Sequence, residues 1–143
     1  MGLRDAVVAW SERHVGMVNP QQYWEIVMPD AKPPYPPHWC GAFALAMLHV
    51  SGLTKWPWVI DKGFLDKLAV TEYPQPGDIA YRKKKQHHAV VLKASPKRLV
   101  CVGGNVDDGK TVDFQIFMLS DTTVYSIESL IEEAHHGAGI PVG

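Results

Sequence analysis

The chain has 143 residues, 46% of them apolar and 20% charged, with a formal net charge of −1. That suffices for one ordinary globular domain, so residues 1–143 are read as a single domain. It excludes a nucleic-acid binder, whose basic excess is larger and clustered. The one dense basic run, Arg82-Lys83-Lys84-Lys85, lies between hydrophobic segments and reads as a solvated turn.

Leu3, Ala6, Val7 and Trp10 recur at helical spacing and predict a first helix over residues 3–14. The same stretch is amphipathic and charged, hence neither a secretory signal nor a membrane span. The chain is therefore expected to be made in a cytoplasm without a Sec signal. Asn19-Pro20 reads as a cap followed by proline at the first helical position, opening a short helix to about residue 27. The prolines of residues 29–37 impose a loop. A further helix is predicted over residues 39–49, with Gly52 as its stop.

A less regular stretch follows, with a short helix expected near residues 61–68. The period then changes. Runs rich in β-branched residues at 79–81, 87–94, 99–102 and 112–118, parted by turns carrying Gly, Pro, Lys or Asp, predict an antiparallel meander. Ser126 is expected to cap a last helix, "IESLIEEAHH", whose acidic residues come early and histidines late, as the macrodipole favours. Helices first and strands afterwards mean an α+β domain.

The segment "KPPYPPHWCGAFALAMLHVSG" places Cys40 where a proline-rich loop turns into a helix. A thiol at a helix start feels the positive end of the dipole, which lowers its pKa and makes it more nucleophilic at neutral pH. Gly41, Ala42, Ala44 and Ala46 let this helix approach a sheet closely, while Phe43 and Met47 anchor it. Free cysteine is also among the most buried residue types, and on the helix alone packing is the commoner role for such a cysteine. Cys101, inside "RLVCVGG", reads as filler in a strand core, and a Cys40–Cys101 disulfide is not expected in a cytoplasmic chain.

A cysteine nucleophile requires a base and a group to orient that base. His87 and His88 open an apolar strand, one pointing to each face. His87 shares its face with Ala89, a small residue suited to a closely packed helix, whereas Val90 would crowd His88. His87 is therefore the expected base and His88 the runner-up. Asn105 follows two glycines and could accept the imidazole N–H, although a plain turn asparagine is the simpler reading of it. Asp107 and Asp108 read as turn residues, since two carboxylates fall well short of a calcium site. No Cys-x-x-Cys pair and no metalloprotease pattern occurs among the cysteines and histidines, so no metal and no cofactor is expected.

In this order, Trp39-Cys40-Gly41-Ala42-Phe43, Pro76-Gly77-Asp78, His87-His88-Ala89-Val90-Val91 and Gly104-Asn105 resemble the CHAP and NlpC/P60 superfamily of papain-like cysteine peptidases and amidases. The likeness spans roughly residues 36–106 and is greatest to small phage and bacterial CHAP-like proteins. It implies a papain-like fold and hydrolysis of an amide bond in the peptide of bacterial peptidoglycan, by a D,L-endopeptidase or an N-acetylmuramoyl-L-alanine amidase. By this resemblance Cys40 would attack the carbonyl, His87 would protonate the leaving amine and Asn105 would orient the imidazole. The Cys40 N–H would help to form an oxyanion hole, and Trp39, Trp56, Trp58 and Tyr35 would wall the groove. Many CHAP domains carry glutamate two positions before the asparagine; here that residue is Gly103. The implied settings are a phage endolysin, a virion-associated lysin or an injected effector acting at the periplasm or cell wall, with a phage tail or secretion machine as partner. Two alternatives stand beside this: a weak or inactive member of the fold serving as a virion structural or binding protein, and a cysteine protease or deamidase acting on proteins.

Overall fold

The computed structural model describes residues 2–59, 63–106 and 110–138. Within them four helices pack with one antiparallel six-stranded sheet, so the fold is α+β as expected. Helix α1 (Leu3–Arg13) has Asp5 in its first turn and Arg13 in its last, matching the dipole at both ends. Helix α2 (Gln21–Val27) begins one residue later than expected, with Pro20 rather than Asn19 at its N-cap, while Asn19 Oδ1 accepts the Gln21 N–H at 2.9 Å. Helix α3 (Cys40–Val50) is apolar on all sides, and every residue from Cys40 to Leu48 is buried. That is the mark of a helix inside the core rather than on its surface.

Strands β2 (Ile79–Arg82), β3 (His87–Ala94), β4 (Arg98–Val106) and β5 (Thr111–Met118) form the predicted meander. Two short strands were not foreseen: β1 (Ala69–Thr71) and β6 (Thr123–Ser126). The sheet order β1-β6-β2-β3-β4-β5 inserts β6 beside β2, so the last strand returns across the meander. Runs this short carry little alternation, and it is pairing that makes them strands. The helix expected at residues 61–68 is reduced to a single 3-10 turn at Leu65–Lys67, residues 61 and 62 lying outside the described ones. Strand β4 also runs through Gly103, Gly104 and Asn105 instead of ending at 102. The expected turn at Asp107 and Asp108 lies outside the described residues. Helix α4 (Glu128–Ala138) begins where Ser126 Oγ accepts the Glu128 N–H at 3.1 Å. No helix among the described residues is long and apolar enough to cross a membrane.

The two sheet faces differ. Ile79, Tyr81, Val90, Val102 and Tyr125 join the main core with α1, α2 and α3. Ala80, Ala89, Val91, Leu99, Cys101, Phe117 and Val124 form a second, smaller cluster on the other face. The basic run forms a short exposed 3-10 turn at Lys83–Lys85 between β2 and β3, as expected of a solvated turn.

Pro76-Gly77-Asp78 has a structural use that its sequence does not announce. Gly77 takes φ +91°, a left-handed conformation that glycine adopts without penalty. Asp78 is 1% exposed, and its carboxylate accepts from the Arg4 guanidinium at 2.8 Å, the Ile127 N–H at 3.0 Å and the Gln75 N–H at 2.8 Å. One side chain thus joins α1, the start of β2 and the entry to α4.

Candidate functional site

Trp39 stands at the N-cap of α3, and Cys40 is the first residue of the helix. The Cys40 Sγ lies 3.7 Å from His88 Nδ1 and 3.6 Å from the carbonyl oxygen of Gln86. Gln86 sits at φ 49°, ψ 44°, a left-handed conformation that is uncommon for a side-chain-bearing residue. It is the residue between the lysine turn and β3.

The imidazole that meets the thiol belongs to His88, and the expectation for His87 is corrected. Tyr81 pairs with His88 and Ile79 with Val90 across β2 and β3, and these residues carry the face against α3. Ala89, the companion of His87, faces the other way. The clearance comes from the helix and not from the strand. A Cβ on Gly41 would overlap the Trp58 ring and stand 3.0 Å from His88 Cε1.

His88 is 3% exposed and boxed by rings: Phe64 stacks at 5.6 Å, Tyr81 stands edge-on at 4.9 Å and Trp58 lies at 6.3 Å. Its Nε2 has no hydrogen-bond partner. Burial, aided by the charge of His87, pushes the His88 pKa down from 6.5 to about 3. Burial also pushes the Cys40 thiol up, against the backbone N–H groups of His88, Gly41 and Cys40 itself, which pull it down. The lowered thiol pKa expected from the helix start is thereby overturned: the buried pair rests as thiol and neutral imidazole.

This burial has a consequence for stability. An unfolded chain takes up the His88 proton below about pH 6.5, whereas the folded one resists until about pH 3. Stability is therefore complete above 6.5 and falls as pH drops toward 3, by on the order of 3 kcal/mol at pH 4. Urea unfolding at pH 7 and pH 4 should register that loss in the wild type and a markedly smaller one in His88→Phe. Equal losses would mean that His88 is not buried neutral.

His87 occupies the opposite face, where its Nε2–H donates to Gln115 Oε1 at 2.7 Å. A Cβ on Gly103 would overlap Gln115 Oε1 and sit 3.1 Å from His87 Nε2. The space beside Gly103 is thus filled by Gln115, reaching over from β5. Burial lowers the His87 pKa; the Gln115 bond opposes this, and the charges of Arg82 and Lys85 add to it.

Asn105 does not hold the imidazole of His88, whose Nε2 is unpartnered. It takes φ 62° where the β4–β5 register shifts between Gly103 and Val106, and this turns it out of the ladder. The expected Cys40–His87–Asn105 arrangement is not assembled. The three residues nonetheless line one cavity of about 670 Å³, together with His88.

Of the four expected groove walls, only Trp58 lines this cavity. Trp39 is 2% exposed and stacks on Tyr23 at 5.7 Å, in room left by Gly104. Trp56 packs under the Lys67 ammonium, and its carbonyl meets His49 Nε2 at 2.6 Å. Tyr35 stacks parallel on Trp24. Trp24 itself lines the cavity and was missed, as were Gln86 and Lys85. A polar residue alternating into a strand of apolar ones was the available signal for Gln115. None was present for Trp24.

Cys101 is fully buried in the second cluster, on the face away from α3, and both cysteines are free. Among the described residues no group of three or more His, Cys, Asp or Glu could hold a metal ion. What the fold and cavity define is an α+β domain with a thiol at a helix start, set against a sheet-borne imidazole. Comparison with known protein families, curated proteins and solved structures gives no match.

Proposed function

We propose that the protein is a cysteine hydrolase of the CHAP and NlpC/P60 kind, with a papain-like arrangement, that cuts an amide bond in the peptide of bacterial peptidoglycan. The observation that carries this reading is the 3.7 Å approach of Cys40 Sγ to His88 Nδ1 inside a cavity at the start of α3. His88 takes the part that the resemblance would give to His87. Because thiol and imidazole rest neutral, the proton moves from Sγ to Nδ1 as sulfur attacks the carbonyl. The Cys40 N–H donates to the developing oxyanion. The imidazolium then protonates the leaving amine, and water, deprotonated by the same Nδ1, hydrolyses the thioester and frees the thiol. Delivery by a virion or a secretion machine to the cell wall would suit this activity.

A second reading is a binding or structural role of the same cavity in a virion. The unpartnered Nε2 of His88 favours it, since no group orients the base. Incubating purified peptidoglycan with wild type and Cys40→Ala, followed by mass spectrometry of the soluble fragments, separates the two. Muropeptides released by the wild type alone are the expected result, and their masses name the bond. No release from walls of several chemotypes would sink the peptidoglycan-hydrolase reading.

A further inference from the structure

Among the described residues lining the Cys40 cavity no side chain is acidic apart from the thiol. The others that ionise are His38, Lys85, His87 and His88, of which Lys85 carries a full charge while the pKa values of His87 and His88 are lowered by burial. The positive end of α3 opens at the same place, adding partial charge of the same sign. Trp24, in the same wall, carries a buried indole N–H with no partner. A lysine cation and an unpartnered donor around a partly apolar space favour an anionic guest.

Lys85 is singled out by position. Lys83, Lys84 and Lys85 share one short turn, yet of the three only Lys85 lines the cavity. Both ion pairs among the described residues belong to Arg4, so the Lys85 ammonium forms no ion pair with a carboxylate among the described residues. Its charge reaches His87, where it is the smallest of the causes, after burial and Arg82, that lower the pKa.

We propose that Lys85 is a specificity residue that selects substrates carrying a free carboxylate near the carbon presented to Cys40. The substrate class is then an acidic acyl peptide rather than a neutral or basic one. This rests on the hydrolase reading for the bond cut, but not for the preference itself, which a small electrophile can report.

Iodoacetate and iodoacetamide differ by a carboxylate against an amide. Each alkylates the thiol by forming a C–S bond as iodide leaves, with the thiol proton passing to solvent. Their rate ratio at Cys40, read by peptide mass spectrometry that separates it from Cys101, cancels the thiolate fraction common to both. In Lys85→Gln the iodoacetate-to-iodoacetamide ratio should fall about fivefold, the effect of removing one partly screened charge. Lys84→Gln, with the same change in net charge, should hold the ratio to within about 1.5-fold of wild type, as expected when only a screened, more distant charge is lost. An unchanged ratio in Lys85→Gln, or an equal fall in Lys84→Gln, overturns the assignment. A fall confined to Lys85→Gln in a protein that releases nothing from peptidoglycan would keep the carboxylate preference and reject the wall as substrate. Wall hydrolysis with an unmoved ratio would do the reverse.

Discussion

His88→Asn is expected to lower peptidoglycan hydrolysis by roughly 10³-fold, the range for loss of a general base, whereas His87→Asn should cost less than about tenfold. The two residues are adjacent in sequence, but they point to opposite faces of β3 and only His88 is fully buried. His88 Nδ1 faces the Cys40 sulfur at 3.7 Å, while His87 Nε2 is engaged by Gln115 on the far side of the sheet. Neither substitution should unfold the chain, which near-UV circular dichroism checks beside the assay. His87→Asn retains Cys40 and His88 in place and disturbs only the cavity wall and the Gln115 contact. If the His87 variant is the inactive one and His88→Asn hydrolyses normally, the base has been assigned to the wrong face of β3.

The second large effect concerns the fold. Asp78→Ala is expected to destabilise the protein by about 4 kcal/mol, measured as a shift of the urea midpoint at pH 7. The carboxylate is almost wholly buried, and its loss leaves the Arg4 guanidinium without its closest counter-charge and strips two backbone N–H groups of their acceptor. Glu128→Gln removes the other partner of Arg4, at 3.1 Å, but that carboxylate is 55% exposed. Its removal should cost less than about 1 kcal/mol, because a solvated pair gains little. Comparable losses in the two variants would contradict the view that Asp78 is the joint between α1, β2 and α4. The Pro-Gly-Asp sequence is thereby accounted for by stability, independently of any chemistry at Cys40.

Burial and not the helix dipole governs the resting state of the site. The backbone N–H groups around Cys40 do favour thiolate, but desolvation outweighs them. A substrate that fills the cavity would bring its own carbonyl to the thiol, and proton transfer to His88 would accompany attack rather than precede it. Thiol reactivity in the free protein should therefore be a poor guide to turnover.

Much of the architecture was legible in the chain because its causes are local. Apolar spacing marked α1, the proline-rich loop delimited α3, and Ser126 and Asn19 marked helix starts through side-chain acceptors that reach only two residues ahead. The runs of β-branched residues marked β2 to β5. Strands β1 and β6 were not legible, because three or four residues carry no periodicity until a neighbour pairs with them. Alternation also established that His87 and His88 point to opposite faces. It could not say which face α3 would cover. Ala89 suggested the wrong one, since the space beside the working imidazole is supplied by Gly41 on the helix. Gln115 and Gly103 meet His87 through pairing between separate strands, and Asn105 is turned aside by a register shift. That a thiol opens an apolar helix and that an imidazole stands on each face of one strand follow from local spacing. Which imidazole meets the thiol depends on the packing of one element against another and not on any property of β3 alone.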